Sequence, residues 1–193
     1  MSRIVIVGAG GHGRSVAEAV AMVGNMEPVG FVDDGAKPGT MVFGIPVLGS
    51  TAELGSLASK ADEAIVAIGN NVVRQRLFNL IRASGIRMAT VIHPGAIVSP
   101  SAVIGDGCAL MAGSIVGTEA IIEDGVIINC GAIVDHHCKV LAFAHIGVGA
   151  CMAGGSVLGR LAWMQAGSAL GYRVQVADQS VLAPGEGRMA ESR

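Results

Sequence analysis

Apolar and polar positions follow two different periods along the chain. In residues 1–90, short apolar runs alternate with stretches of helical spacing. Arg3–Val7 reads as a buried strand, Ser15–Met22 as a helix and Pro28–Asp34 as a second strand. Ile45–Leu48 and Ala64–Ile68 are further strands around a weak helix at Thr51–Ser59. Asn71–Ser84 places Val72, Val73, Leu77, Leu80 and Ile81 at helical intervals, with Gly85 as a stop. Strand alternating with helix predicts a small parallel sheet.

From Val91 the period becomes six. Sixteen consecutive blocks, from VIHPGA to VLAPGE, all carry Ile, Val, Leu or Met in second place. The sixth place is Ala, Ser, Cys or Val in every block but the last. One aliphatic and one small site per six residues is the hexapeptide pattern of a parallel β-helix, in which three blocks close one triangular coil. The predicted fold class is α/β plus all-β: a Rossmann-like domain over 1–90, then a hexapeptide β-helix over 91–193 of roughly five coils.

Composition narrows the function classes. A net charge of −2 and a pI near 6.2 give no electrostatic case for nucleic acid or an anionic membrane. Mean hydropathy is +0.59, and Val140–Gly159 lacks any Asp, Glu, Lys or Arg, long enough for a bilayer span. That stretch holds His145, Ser156 and five glycines and keeps the six-residue period, so no membrane span is expected. The apolar run Ile4–Val7 is too short for a signal peptide, which makes a cytoplasmic location the expectation. Cys108, Cys130, Cys138 and Cys151 form no C-x-x-C pair and read as reduced, half-buried residues.

Chemistry gathers at two places. Gly8-Ala9-Gly10-Gly11-His12-Gly13 fits G-x-G-x-x-G between a strand and a helix, with Asp33 twenty residues beyond Gly13. Such a turn brings backbone N–H groups to a phosphate, and the acid takes a ribose hydroxyl. A domain of 90 residues suits a mononucleotide end, as in a nucleotide-sugar, better than a dinucleotide; the alternative is a tight turn without a ligand. Asp33-Asp34 reads as a ribose, sugar or amine ligand, or as a solvated turn. Gly69-Asn70-Asn71 falls on the same carboxyl edge of the sheet, with Asn70 or Asn71 as a possible helix cap. In the repeats, Asp135-His136-His137-Cys138 and His145 bring three of five histidines within ten residues, none at an inward aliphatic place. Three readings compete: an imidazole general base, a metal site using His136 or His137 with His145 and Cys138, and a surface cluster without function.

With IVIVGAGGHG, FVDD, VAIGNN and IINCGAIVDHHCKVLAFAHIGVGACMAGG in order, the chain resembles the sialic-acid O-acetyltransferase family, which includes nucleotide-amino-sugar N-acetyltransferases of bacterial surface glycan biosynthesis. The resemblance implies a homotrimer of left-handed β-helices with acetyl-CoA between adjacent prisms and no metal. It implies that Gly10, Gly11, His12, Asp33, Asp34 and Gly69 hold the nucleotide-sugar. His136 would be the catalytic base, Asn129 an active-site asparagine, and His145, Gly154 and Ala166 would lie at the coenzyme. The acceptor is a sugar amine or hydroxyl, attacking the thioester directly. Two features depart from the family pattern. His137 stands where Glu or Asp usually follows the base, and the C-terminal segment is APGEGRMAESR, after coils that carry Trp163, Gln165 and Tyr172. These departures motivate an alternative, a non-catalytic or weakened homologue serving as a binding or assembly protein.

Overall fold

The computed structural model describes residues 1–190, except for the side chains of residues 56–59. The chain divides into two compact units, Met1–Pro94 and Gly95–Arg193.

The first unit is a six-stranded sheet with two long helices. In chain order it comprises β1 (Ser2–Val7), α1 (Gly11–Val23), β2 (Met26–Val32), β3 (Met41–Val42), β4 (Ile45–Gly49), a 3₁₀ helix (Thr51–Ser59), β5 (Glu63–Val66), α2 (Asn71–Ala83) and β6 (Arg87–Met88). The strand order is β3-β4-β2-β1-β5-β6. All pairs are parallel except the β3–β4 hairpin. That hairpin is absent from the sequence reading because its turn is Phe43-Gly44, with φ of 57° and 75°; the usual Asn-Gly or Asp-Gly signal is missing. Helix α1 starts at Gly11, ahead of the expected Ser15, since glycines of low helix propensity run straight from the turn into the first helical turn. Ile4, Val5, Ile6 and Val7 are fully buried, which their uninterrupted apolar run requires of a central parallel strand. The chain leaves β1 for β2 on one side and returns to β5 on the other, so the crevice beyond the carboxyl ends of these strands is the topological switch point.

The second unit repeats two-residue strands, one per hexapeptide, stacked into three parallel sheets. Partners lie 18 residues apart: Ile127 pairs with His145 and His145 with Trp163, as Ile133 pairs with Cys151. One coil is therefore three blocks. The core is built from second and sixth places, among them Leu110, Val116, Ile122, Ile128, Val134, Met152 and Leu158 with Ala120, Ala132, Ala144 and Ala150. Cys138 also fills a sixth place, its sulfur turned inward toward the Met152 and Ala153 carbonyls and the Ser156 hydroxyl. All four cysteines are free thiols. From Gly107 onward each block turns through a left-handed residue in fifth place, usually glycine, but Glu119, His137, Phe143, Leu161, Arg173 and Gln179 adopt φ of 56–60° there. Among the described residues no helix is long and apolar enough to cross a membrane; Val140–Gly159 lies within the coils.

Candidate functional site

At the switch point of the first unit, the four glycines of the motif divide by role. A Cβ on Gly13 would strike the Gly8 carbonyl, and one on Gly8 would come within 2.8 Å of the Ala67 carbonyl oxygen, with Gly8 at φ 109°. These two let α1 and the β5 loop close onto the turn. Around Gly10 and Gly11 the corresponding space is open. Gly10 is the N-cap of α1 and has no side chain to satisfy the first helical N–H groups, and no acidic residue stands in the first turn. This is the arrangement that favours an anion.

The acidic pair also divides. Asp33 accepts from the Ala9 N–H through Oδ2 (2.8 Å) and from the Gly35 N–H through Oδ1 (2.8 Å), bracing the glycine turn against the end of β2. Asp34 accepts from Thr51 N (2.7 Å) and Oγ1 (2.9 Å), and these bonds hold its carboxyl below the usual carboxylate range. Both acids line a cavity of about 180 Å³ with Gly8, Thr51, Ile68 and Arg76. Gly10, Gly11, His12 and Gly69 lie outside its lining.

Asn70 caps α2, its Oδ1 accepting from Val73 N at 3.0 Å. Arg74 went unread in the sequence. Its guanidinium is almost wholly buried and donates to the carbonyls of Ile68 (2.9 Å) and Gly69 (3.3 Å) and to Asn71 Oδ1 (2.9 Å). The available signal was its register: Arg74, Leu77, Phe78 and Ile81 form the buried stripe of α2, and Arg74 is its one charged member. His12 is desolvated and feels the Arg74 charge, which together push its pKa down to about 4, so the imidazole is neutral at pH 7. Its Nε2 is buried without a hydrogen-bond partner.

In the coils, His136 and His137 stand outside the prism, about half exposed. The His136 ring lies on Gly154, where a Cβ would come within 2.5 Å of both Cε1 and Nε2. Gly154 thus seats the imidazole 18 residues along, one coil on. Asp135 accepts from the His136 backbone N–H through Oδ1 (2.7 Å), and its Oδ2 is 3.7 Å from His136 Nε2. The two imidazoles meet edge to face with Nδ1 atoms 2.9 Å apart, and His137 Nε2 is 3.0 Å from Glu119 Oε2. Glu119 was also missed, although 137 minus 119 is 18, one coil, and the period alone puts the two residues on one corner.

The other expected residues stand elsewhere in the coils. Asn129 occupies the preceding corner, its Oδ1 accepting from Cys130 N (2.9 Å). Ala166 shares that corner two coils on, where its N–H approaches the space a Gly147 Cβ would fill. His145 is buried in first place of its block and stacks on Trp163, with centroids 5.7 Å apart and planes 13° from parallel. With His145 beneath Trp163 and the Cys138 sulfur inside the prism, the histidine–cysteine metal set does not converge. Among the described residues no group of three or more His, Cys, Asp or Glu side chains is placed to hold a metal ion.

Comparison with known proteins puts this combination of a nucleotide-type switch point and a hexapeptide coil with an exposed corner imidazole among sugar acetyltransferases built on a left-handed β-helix. Residues 3–81 match the PglD N-terminal domain family. Over 97% of its length the chain is similar to a histidine-to-asparagine mutant of perosamine N-acetyltransferase from Caulobacter crescentus, solved in complex with CoA and GDP-perosamine (34% identity, 91% of that chain, TM-score 0.86). It is also similar to the acetyltransferase domain of PglB from Neisseria gonorrhoeae in complex with acetyl coenzyme A (34% identity, 96% of this chain and 97% of that one, TM-score 0.81). The curated UDP-N-acetylbacillosamine N-acetyltransferase of Bacillus subtilis (strain 168) is 36% identical over 115 residues, 58% of this chain; the match spans about half the length of that relative, 52%. The chain belongs to this family of nucleotide-sugar N-acetyltransferases with a PglD-type N-terminal domain.

Proposed function

We propose that the protein transfers the acetyl group of acetyl-CoA to the amine of a nucleotide-linked amino sugar, for bacterial surface glycan biosynthesis. The observation that carries this reading is the His136 imidazole, exposed at a coil corner and seated on Gly154, in a chain similar end to end to enzymes solved with CoA, acetyl-CoA and GDP-perosamine. The sugar nitrogen attacks the thioester carbonyl, the tetrahedral adduct collapses with loss of the CoA thiolate, and His136 takes the proton that the nitrogen must shed. One C–N bond forms and one C–S bond breaks, so no covalent enzyme intermediate is required. Proximity and general-base catalysis supply the acceleration.

The open backbone of Gly10 and Gly11 at the start of α1 receives the phosphates, with neutral His12 beside it, while Asp33, Asp34 and Gly69 border the nucleoside and sugar. Asn129, His145, Gly154 and Ala166 attend the acetyl and coenzyme portions. The working form is a homotrimer in the cytoplasm. Exposed aliphatics in outward first places, Ile97, Val103, Ile121 and Val181, support association. Release of CoA thiol on mixing acetyl-CoA with GDP- or UDP-linked amino sugars tests the reading. Activity that His136→Ala leaves intact removes His136 from the base role.

A further inference from the structure

We infer that Glu119 and His137 form a relay that fixes the tautomer of His136 and carries away the charge it acquires. This rests on the acetyl-transfer reading for its purpose, though its geometry stands by itself. Glu119 and His137 occupy fifth places one coil apart, both left-handed at φ 56° and 58°, so the corner projects their side chains side by side. The Ser101 hydroxyl accepts from the Glu119 N–H (3.1 Å) and the Thr118 carbonyl from the His137 N–H (2.8 Å), pinning both backbones.

The hydrogen positions follow from valence. A carboxylate only accepts, so the 3.0 Å contact places a proton on His137 Nε2. Neutral His137 then has its lone pair on Nδ1. The 2.9 Å Nδ1–Nδ1 contact needs one proton between the rings, and that proton belongs to His136. His136 Nε2, the atom beside Gly154, is left with a free pair: the base. When Nε2 takes the proton from the attacking nitrogen, the Nδ1 proton of His136 passes to Nδ1 of His137. The positive charge then rests on His137 against Glu119, and His136 is neutral with its proton on Nε2; as Nε2 gives that proton to the departing thiolate, the Nδ1 proton returns from His137 to His136, restoring both starting tautomers. Protons and charge balance at each step. An acidic neighbour would perform the first part alone; here an imidazole transmits the effect of a carboxylate from the coil before. A contact this exposed adds little to the stability of the fold, so its consequence lies in the tautomer. The charged groups facing the pair are Glu119, Asp135 on the far side of His136 Nε2, and Arg173, whose Cγ lies over Gly155 on the same corner.

The test uses the full chain with Glu119→Gln, His137→Glu and the double variant. Glu119→Gln lowers kcat on the order of tenfold or more with KM unchanged. It also shifts the rising limb of the pH–rate profile to lower pH, because a base stripped of its anion loses its proton more easily. In the His137→Glu background, where the carboxylate meets His136 directly, Glu119→Gln has no further effect on kcat. Equal losses in both backgrounds, or a wild-type profile for Glu119→Gln, overturn the relay. Nitrogen-15 spectra of histidine-labelled protein decide it without turnover: His136 is expected as the Nδ1–H tautomer in the wild type and as a mixture in Glu119→Gln. A chain inactive on every amino sugar but with that tautomer would refute the functional reading and keep the relay; the opposite tautomer would refute the relay whatever the activity.

Discussion

The two units attach chemistry to structure in opposite ways. In the coils, second and sixth places make the core and third to fifth places make the corners, so His136, His137 and Glu119 reach solvent without any packing side chain being displaced. In the sheet unit the same residues hold the fold and border the site. Asp33 braces the glycine turn and lines the cavity, Gly8 and Gly13 permit close packing, and buried Arg74 ties down the loop after β5. On the proposed function, a periodic scaffold separates catalysis from stability, whereas a switch-point site merges binding with it.

Four substitutions or conditions probe that contrast. His136→Ala is expected to lower kcat by about 10²–10⁴ while leaving the melting temperature unchanged; a fall in both would mean the corner is part of the packing. Ile128→Ala, in second place and fully buried, should do the reverse, losing about 2–5 kcal/mol in denaturant unfolding with per-molecule activity of the folded fraction retained. Acid separates the units next. His12 has a folded pKa near 4 against an ordinary 6.5, so it is neutral in both states above pH 6.5. Between pH 6.5 and about 4 the unfolded chain binds the extra proton, and stability falls by up to about 3 kcal/mol, then levels off. Unfolding at pH 7, 5 and 4 should show this loss in the wild type and its absence in His12→Gln. Last, Asp33→Ala leaves the Ala9 and Gly35 N–H groups without their acceptor, so stability should drop by about 1–3 kcal/mol and KM for the nucleotide-sugar should rise together. Movement of only one would break the claim that fold and site are merged there.

Legibility in the sequence follows the same division. The prism imposes its demand every six residues, and the core found in the structure consists of the second and sixth places read from the chain. Four of the six strands and the helices of the sheet unit were also legible, β3 and β6 were not, and of the two cap candidates Asn70 and Asn71 the structure selects Asn70. Residues acting across the period were not. Glu119 sits a full coil before His137, and nothing local in IVGTEA announces a partner for that imidazole. Arg74 was masked by the aliphatic residues around it, because helical periodicity reports which face is buried and is silent about a charge satisfied there by carbonyls. His145 illustrates a third case: its outward place was correct, but stacking by Trp163 one coil later buries it.

The uninterrupted six-residue register has a consequence for how such a chain can change over time. It behaves as a three-dimensional reading frame: deleting one residue within the coils would send every later second-place aliphatic outward and every later third-place corner residue into the prism until a compensating change restored phase. Length variation among descendants should therefore collect outside the coils, as in the segment 35–40 between β2 and β3, while the repeats diverge only by exchange of one side chain for another.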